Sequence, residues 1–224
     1  MGKVLGLIPA RGGSTRVKRK NIKVINGDPL IAWTINDLLD ANKVTDVYVT
    51  TNNKDIKEVS ESYGAKVIDR PPDISDEHAQ LESAISHAYN TIGKKYDYIL
   101  TCQPTTPFRA SWAIDKGIDR IEYKHADSCI YVCNFDRYIW HPSGYPINYD
   151  YKDRARSQDK EWELIEYGDY LCTPRLLEET GNRIGGNIIF SSGISLSYFD
   201  IDTELDLKIV NGIAKELDLH AKND

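Results

Sequence analysis

Short apolar runs alternate with amphipathic stretches along most of the 224-residue chain. Runs of four to eight residues rich in apolar and β-branched side chains predict strands, and apolar residues recurring every three or four positions predict helices. This alternation predicts an α/β fold, with a mostly parallel sheet, helices on both faces and ligands at the carboxyl ends of the strands. The predicted strands are 4–8, 44–51, 65–68, 96–102, 126–133 and 187–190, and the predicted helices are 29–39, 55–63, 79–92, 111–123, 174–180 and 204–217.

The alternation stops between residues 134 and 160, a segment that contains Trp140, Gly144 and several tyrosines and charged residues. A loop of this length is normally functional or covered by a partner. Its aromatic residues favour a subunit interface or a lid. The length of the chain predicts a single domain, residues 1–224, with 134–160 as an excursion from it.

Composition bounds the cellular setting. The four cysteines, at 102, 129, 133 and 172, show no disulfide-framework spacing and are interpreted as reduced core thiols of a cytoplasmic protein. No segment reaches the roughly 18 to 20 apolar residues that cross a bilayer. Pro9 and Arg11 interrupt the first apolar run too early for a signal peptide. We therefore predict no membrane partner.

The first predicted strand ends in a basic, glycine-containing loop. Five cationic side chains lie between Arg11 and Lys20 without a carboxylate, although the whole chain has a formal charge of −6. Gly12 and Gly13 permit a close approach of the backbone to a ligand, and clustered Arg and Lys compensate a polyanion. The loop therefore predicts a small anionic ligand, best a nucleotide triphosphate, and no nucleic acid. The alternative is a basic surface turn.

The loop matches neither of two common phosphate-binding patterns. A dinucleotide fingerprint needs Gly-x-Gly-x-x-Gly before a helix, and a Walker loop needs Gly-Lys followed by Ser or Thr. Both are missing from this part of the sequence. The pattern therefore disfavours a dehydrogenase or a P-loop enzyme.

A second candidate site follows the predicted strand 96–102. Gln103, Thr105, Thr106 and Arg109 present an amide, two hydroxyls and a guanidinium between prolines that stiffen the turn. Such groups suit sugar hydroxyls and a carboxylate. The alternative is a turn that only caps the next helix.

The third candidate site is an aspartate pair near the carboxyl end of the chain. Asp200 and Asp202 point to the same side of an extended segment, because side chains alternate there. Two carboxylates suit Mg²⁺, which takes one or two protein carboxylates and completes its octahedron with water and phosphate. The alternative is a helix N-cap at Asp202 or Thr203, and both interpretations are compatible.

With these motifs the chain resembles the acylneuraminate (sialic acid) cytidylyltransferases. Five segments occur in the family's order over nearly the whole length: Ile8-Pro9-Ala10-Arg11-Gly12-Gly13-Ser14 with Lys20-Asn21, Gln103-Pro104-Thr105-Thr106-Pro107-Phe108-Arg109, Arg156-Ser157-Gln158-Asp159, Asn182-Arg183-Ile184-Gly185-Gly186, and Asp200-Ile201-Asp202-Thr203-Glu204-Leu205-Asp206-Leu207.

The resemblance implies a Rossmann-like nucleotidyltransferase fold with a dimerisation arm at 134–160, and a homodimer. It implies that CTP and a nine-carbon acidic α-keto sugar give the CMP-sugar and pyrophosphate, with Mg²⁺ or Mn²⁺ as cofactor. The implied catalytic residues are Arg11, Lys20 and Asp202. The implied nucleotide ligands are Ala10, Arg11, Gly12, Gly13, Ser14, Lys20 and Asn21; the sugar ligands are Gln103, Thr105, Arg109 and Arg156; the metal ligands are Asp200 and Asp202.

The chain also departs from the family pattern. Many relatives have Lys at the place of Thr15, a small residue at Arg16 and Pro at Lys18, and residues 166–170 differ on the sugar side. Sialic, legionaminic and pseudaminic acids therefore all remain open as acceptors. Two alternatives stand beside this interpretation: a nucleotidyltransferase for a Kdo-like acid or a sugar phosphate, and an inactive nucleotide-binding regulator.

Overall fold

The computed structural model describes residues 2–14, 16–159 and 163–221. The strands are β1 (Val4–Pro9), β2 (Val24–Ile25), β3 (Asp28–Pro29), β4 (Asp46–Thr51), β5 (Lys66–Asp69), β6 (Tyr98–Cys102), β7 (Ser128–Phe135), β8 (Glu163–Cys172) and β9 (Ile188–Ser192). The α-helices are α1 (Leu30–Asp40), α2 (Lys54–Ser62), α3 (Leu81–Thr91), α4 (Ser111–Lys124), α5 (Pro174–Thr180) and α6 (Glu204–Glu216).

Seven strands form one mixed sheet in the order β5-β4-β1-β6-β8-β7-β9, and β2 pairs with β3 in a separate hairpin. β8 is antiparallel to both of its neighbours, and the other neighbouring pairs are parallel. The prediction of a mostly parallel α/β sheet is confirmed. The carboxyl ends of β1, β4, β5 and β6 consequently meet at one edge.

Helices cover both faces of the sheet. The side chains of β1 alternate between the two faces, and they are buried on both. Val4 and Ile8 pack with residues of α1, α2 and α4, whereas Leu5 and Leu7 pack with residues of α3 and α5. A third cluster joins α6 to the outer side of α1 and to Phe108. This last contact brings the carboxyl-terminal part of the chain beside the β6 edge.

The predicted elements are all present with small shifts at their ends, and two features were not predicted. The first is the β2–β3 hairpin and the second is β8, which the sequence pattern did not indicate as a strand. The predicted excursion begins two residues late, since β7 continues to Phe135. Within it Trp140 forms an isolated bridge with Pro146, and the rings of Tyr138 and Tyr149 lie 4.6 Å apart. Lys160, its predicted end, lies outside the described residues.

Over the ranges that the structure describes, no helix combines the length and the apolar character needed to cross a membrane.

Gly117 lies inside α4 against Tyr131 of β7, whose hydroxyl donates to the Ile114 carbonyl at 2.9 Å. A methyl group at Gly117 would overlap the Tyr131 hydroxyl. We expect Gly117→Ala to lower the free energy of unfolding by about 1–3 kcal/mol, as overpacking does. Urea unfolding followed by circular dichroism measures it. Gly212→Ala is the matched control, because nothing lies within 4 Å of the added group in α6, and we expect a gain of roughly 0.4–1 kcal/mol. Equal effects at both glycines would contradict this account.

Candidate active site

A cavity of about 170 Å³, here called the loop cavity, lies at the carboxyl ends of β1 and β6. The basic loop after β1 supplies one wall and the turn after β6 supplies the other. Because five of the lining residues can donate to anionic oxygens from charged or amide groups, the cavity suits a polyanionic ligand. Its lining residues are Pro9, Arg11, Ser14, Arg16, Val17, Lys20, Asn21, Gln103, Pro104 and Thr105.

Gly12 and the side-chain amide of Asn21 determine the backbone path of the basic loop. Gly12 donates its amide to Asn52 Oδ1 at 2.9 Å, and a Cβ on Gly12 would lie 2.8 Å from Asn53 Cβ. The buried Asn21 donates from Nδ2 to the Arg11 carbonyl at 3.1 Å. Only glycine therefore lets the loop pass so close to Asn53.

Three predicted nucleotide ligands do not line the loop cavity. Ala10 is fully buried and donates its amide to the Thr50 carbonyl at 3.0 Å, so it ends the strand. Gly12 supports the loop as described above. Gly13 has open space around its Cα. Thr15, where the chain departs from related sequences, lies outside the described residues.

Arg70, which was not among the predicted site residues, adds a second guanidinium beside Arg11. Its side chain is buried and donates to the Thr50 carbonyl at 2.7 Å. Burial, with Arg11 as a second cause, lowers the pKa of Arg70 to about 10, so Arg70 remains charged at neutral pH. A basic residue two positions after the predicted strand 65–68 was the available signal, because it falls at the ligand-binding edge of the sheet.

A second cavity of about 590 Å³, here called the strand cavity, adjoins the loop cavity. The two cavities share Gln103 and Thr105. Its walls come from the middle of β8, from the segment before α6 and from α6 itself. The other lining residues are Thr106, Ile165, Glu166, Tyr167, Gly168, Tyr170, Tyr198, Phe199, Asp200, Asp202, Asp206 and Ile209.

The basic loop and the aspartate pair, nearly 200 residues apart in sequence, are in direct contact. Lys20 Nζ donates to the Ile201 carbonyl at 2.7 Å and lies 3.4 Å from Asp202 Oδ1. Arg16 is 3.1 Å from the same oxygen. The Ile201 amide donates to the Thr105 carbonyl at 2.9 Å, which ties the segment to the β6 turn. The three predicted sites therefore converge on one place.

Thr203, and not Asp202, caps α6. Its hydroxyl accepts from the Asp206 amide, and the Asp206 carboxylate accepts from the Thr203 amide in a capping box. Of the two cap candidates the structure thus selects Thr203. Asp202 keeps its carboxylate directed at Lys20 and Arg16.

The donor set fits a hard divalent cation that uses few protein ligands. Asp200 and Asp202 line the same cavity, and among the described residues no group of three or more His, Cys, Asp or Glu side chains could enclose a metal. An all-protein Ca²⁺ or Zn²⁺ cage therefore does not fit. Mg²⁺ does, because it retains waters and phosphate oxygens beside one or two carboxylates.

The placement of Arg109 corrects its prediction as a sugar ligand. Its side chain is 1% exposed and lines neither the loop cavity nor the strand cavity. It donates to both carboxylate oxygens of Asp169, to Thr34 and to the Gln103 carbonyl. With its donors committed to protein acceptors in a buried position, Arg109 braces the turn instead of meeting a ligand.

Asp37 lies beside this buried pair. Its Oδ2 has no hydrogen-bond partner among the described residues, and burial raises the pKa of its carboxyl to about 7, against an opposing effect of Arg109. The unfolded chain releases this proton near pH 4. Because the folded state holds this proton up to about pH 7, proton binding by Asp37 favours the folded state at low pH. This contribution to the free energy of unfolding falls between about pH 4 and 7.

We expect Asp37→Asn to melt at a higher temperature than the parent at pH 8 and to show a smaller advantage at pH 4.5. Thermal unfolding by circular dichroism across this range measures the difference, with the exposed Asp73→Asn as control. A constant difference at all pH values would contradict the assignment.

Arg156 is not brought to either cavity by this chain. Its guanidinium pairs with Asp159 at 2.8 Å, within the same turn, and 75% of the side chain is exposed. The remaining predicted sugar ligands, Gln103 and Thr105, line both cavities. Glu166 and Tyr167, in the segment 166–170 that the resemblance puts on the sugar side, line the strand cavity, although the sequence pattern did not indicate β8 as a strand.

A mixed α/β sheet with a cationic cavity at its carboxyl edge, and a larger cavity next to it, defines a ligand-binding α/β protein of the doubly wound type. The profile of one family, described as Cytidylyltransferase, matches residues 5–146. The chain belongs to the cytidylyltransferase family.

Individual relatives agree with that family. An N-acylneuraminate cytidylyltransferase of Oncorhynchus mykiss is 29% identical over 210 residues, covering 91% of this chain and 48% of the relative. A pseudaminic acid cytidylyltransferase of Campylobacter jejuni is 35% identical over 109 residues, covering 47% of each. The resemblance stated from the motifs is confirmed. The chain spans about half the length of these curated relatives.

A solved structure supports the fold. The structure of CMP:2-keto-3-deoxy-manno-octonic acid synthetase complexed with CTP superposes with a TM-score of 0.74, covering 96% of this chain and 99% of the other at 16% identity. At that identity the likeness establishes a shared fold.

Proposed function

We propose that this protein transfers CMP from CTP to the anomeric hydroxyl of a nonulosonic acid, with release of pyrophosphate. The observation that carries the proposal is the contact of Lys20 with the Ile201 carbonyl and Asp202, where the two cavities meet. The family and the names of the relatives support this direction. A triphosphate in the loop cavity and a sugar in the strand cavity would meet beside Gln103.

In the proposed reaction the triphosphate binds along the basic loop. Arg11, Arg16 and Lys20 neutralise its charge, and Ser14 and Asn21 contact the nucleotide. Lys20, whose side chain is 15% exposed, stabilises the charge that develops on the α-phosphate. Such a fixed cation in a partly dry site lowers the barrier because it needs no reorganisation.

On the acceptor side, Gln103 and Thr105 orient the sugar so that its anomeric oxygen faces the α-phosphorus. A bond forms between these two atoms, and the bond from the α-phosphorus to the bridging oxygen of pyrophosphate breaks. Asp202 receives the proton of the hydroxyl as a general base. Asp200 and Asp202 would hold Mg²⁺ or Mn²⁺, which supplies charge neutralisation at the phosphates when bound.

The assembly and setting are part of the same proposal. Residues 1–224 act as one domain, and the excursion at 134–160 joins two copies into a homodimer. Its exposed aromatic side chains, Trp140, Tyr145 and Tyr151, support an interface. The four cysteines are unpaired and buried, which suits a reducing cytoplasm.

Pyrophosphate release with CTP, Mg²⁺ and a panel of acceptors tests the proposal. The panel holds N-acetylneuraminic, legionaminic and pseudaminic acids, with Kdo and a sugar phosphate as competing classes. We expect turnover with at least one nonulosonic acid and none with ATP or GTP. Turnover with Kdo or the sugar phosphate alone favours the other acceptor class. CTP binding without any pyrophosphate release favours the inactive regulator.

A further inference from the structure

A buried ion pair lies directly behind the residues that the two cavities share. Arg109 Nε is 2.6 Å from Asp169 Oδ2, and its NH2 group donates to Asp169 Oδ1 at 2.8 Å. Both side chains are 1% exposed. Two parallel bonds between a planar guanidinium and a carboxylate fix orientation as well as distance.

The same guanidinium reaches two further parts of the fold. Its NH1 group donates to Thr34 Oγ1 on α1 at 2.7 Å. Its NH2 group also donates to the carbonyl of Gln103. One rigid fork therefore connects α1, the turn after β6 and β8, three elements that are remote in sequence.

The connection to β8 falls at an irregular point of that strand. Ile130 of β7 pairs with Tyr170 of β8, and Val132 pairs with Glu166. A step of two residues along β7 is therefore matched by a step of four residues along β8. Gly168, with φ of +92°, adopts a conformation that favours glycine. Extra residues of this kind redirect a strand locally and leave part of the ladder unpaired. The bulge therefore depends on other contacts for its position.

Those contacts are with the β6 turn. Thr106 Oγ1 donates to the Tyr167 carbonyl at 2.6 Å, and the Gln103 amide donates to the Gly168 carbonyl at 3.3 Å. Tyr167 and Gly168 line the strand cavity but not the loop cavity. A shift of the bulge would thus move the wall of the strand cavity that Tyr167 and Gly168 form, here called the acceptor wall. The wall of the loop cavity that the basic loop forms would stay in place.

On the basis of the proposed function, we propose that Arg109 and Asp169 are positioning residues that set the acceptor-side wall of β8 against Gln103 and thereby determine the affinity for the sugar. Burying an ion pair adds little net stability, because desolvation offsets the attraction. Its contribution here is the fixed geometry of the fork.

Two variants test the positioning role, one by replacing the guanidinium and one by removing a single hydrogen-bond acceptor. Arg109→Lys keeps the charge and loses the fork. Thr34→Val removes a single acceptor and leaves the ion pair whole, so it preserves the fold if the lysine variant does not. The acceptor KM, the CTP Kd from calorimetry and the melting temperature are measured for each. We expect the acceptor KM to rise about tenfold for the loss of one charge-assisted hydrogen bond, with the CTP Kd within about twofold of the parent.

Tyr89→Phe is the matched control. It removes a buried hydrogen bond, to the Tyr96 carbonyl, and Tyr89 lines neither cavity. We expect a lower melting temperature with both the acceptor KM and the CTP Kd unchanged. An unchanged acceptor KM in Arg109→Lys and Thr34→Val, or parallel weakening for CTP and acceptor, would overturn the positioning role.

Hydrogen exchange separates this proposal from the proposed function, because it needs no substrate. Peptides covering residues 163–172 are expected to exchange about tenfold faster in Arg109→Lys, while peptides covering residues 4–9 keep the parent rate. Unchanged exchange across 163–172 overturns the inference even if the enzyme is active. Faster exchange without turnover on any acceptor supports the inference and counts against the transfer reaction alone.

Discussion

Lys20→Ala is expected to lower kcat by about a thousandfold, the effect of removing one preorganised donor from a developing oxyanion. The reason is geometric. Lys20 Nζ is held on the Ile201 carbonyl at 2.7 Å, where the loop cavity meets the strand cavity. An alanine supplies neither the charge nor a replacement donor, and Arg16, whose side chain is 68% exposed, is too solvated to replace it. Steady-state pyrophosphate release at saturating CTP and acceptor measures the change.

Lys23→Ala serves as the control for charge in the same part of the chain. Lys23 lies three residues further on and lines neither the loop cavity nor the strand cavity, so its kcat should stay within about twofold of the parent. Both variants should keep the fold, and only Lys20→Ala should melt at a lower temperature, because it loses the hydrogen bond from Lys20 Nζ to the Ile201 carbonyl. A Lys20→Ala enzyme within fivefold of the parent would remove this residue from the chemistry.

Asp202→Asn is expected to have the second-largest effect, a fall in kcat of about a hundredfold or more, which is the usual contribution of a general base. The substitution keeps the volume of the side chain but removes a proton acceptor and one of the two carboxylates that suit a divalent cation. It also removes the partner of Arg16 and Lys20. Because these cations then no longer pair with Asp202, the affinity for CTP without metal should be unchanged or higher.

Two measurements separate these effects. Pyrophosphate release gives kcat, and titration with Mn²⁺ in the presence of CTP, followed by electron paramagnetic resonance, gives the metal affinity. Asp218→Asn is the control, because the Asp218 side chain is 94% exposed and lies beyond α6. If Asp202→Asn bound Mn²⁺ like the parent and kept its kcat, Asp202 would be neither a metal ligand nor a base.

The sequence was sufficient for the parts of the fold in which each element shows its own period. The strand 4–8 is a continuous apolar run that is buried on both faces of the sheet, and the helix 111–123 buries one side. Both patterns are local in the sequence. The site was foreseeable to a similar extent. Lys20, Gln103 and Asp202 follow or flank predicted elements at the edge where ligands bind, and the structure places them together.

The parts that were not foreseen depend on contacts between remote segments. β8 contains Gly168 and Asp169, which are uncommon in strands, and its bulge shifts the alternation of buried side chains halfway along. Arg109 has the chemistry of a carboxylate ligand, and only the position of Asp169 across the sheet shows that its carboxylate partner belongs to the protein itself. Burial of a charged group by a partner 60 residues away leaves no local signal in the sequence.

β8 is antiparallel to both of its neighbours. The bulge in this strand lies beside the carboxyl end of β6, at the edge at which the parallel strands end. Most of the strand cavity is built from residues 165–170 and 198–209, whereas most of the loop cavity is built from residues 9–21. Under the proposed function, substitutions in residues 165–170 and 198–209 can therefore change the sugar specificity while the nucleotide-binding residues stay the same. If the proposed function holds, an exchange of residues 163–172 with those of a relative is expected to change the sugar that the protein accepts.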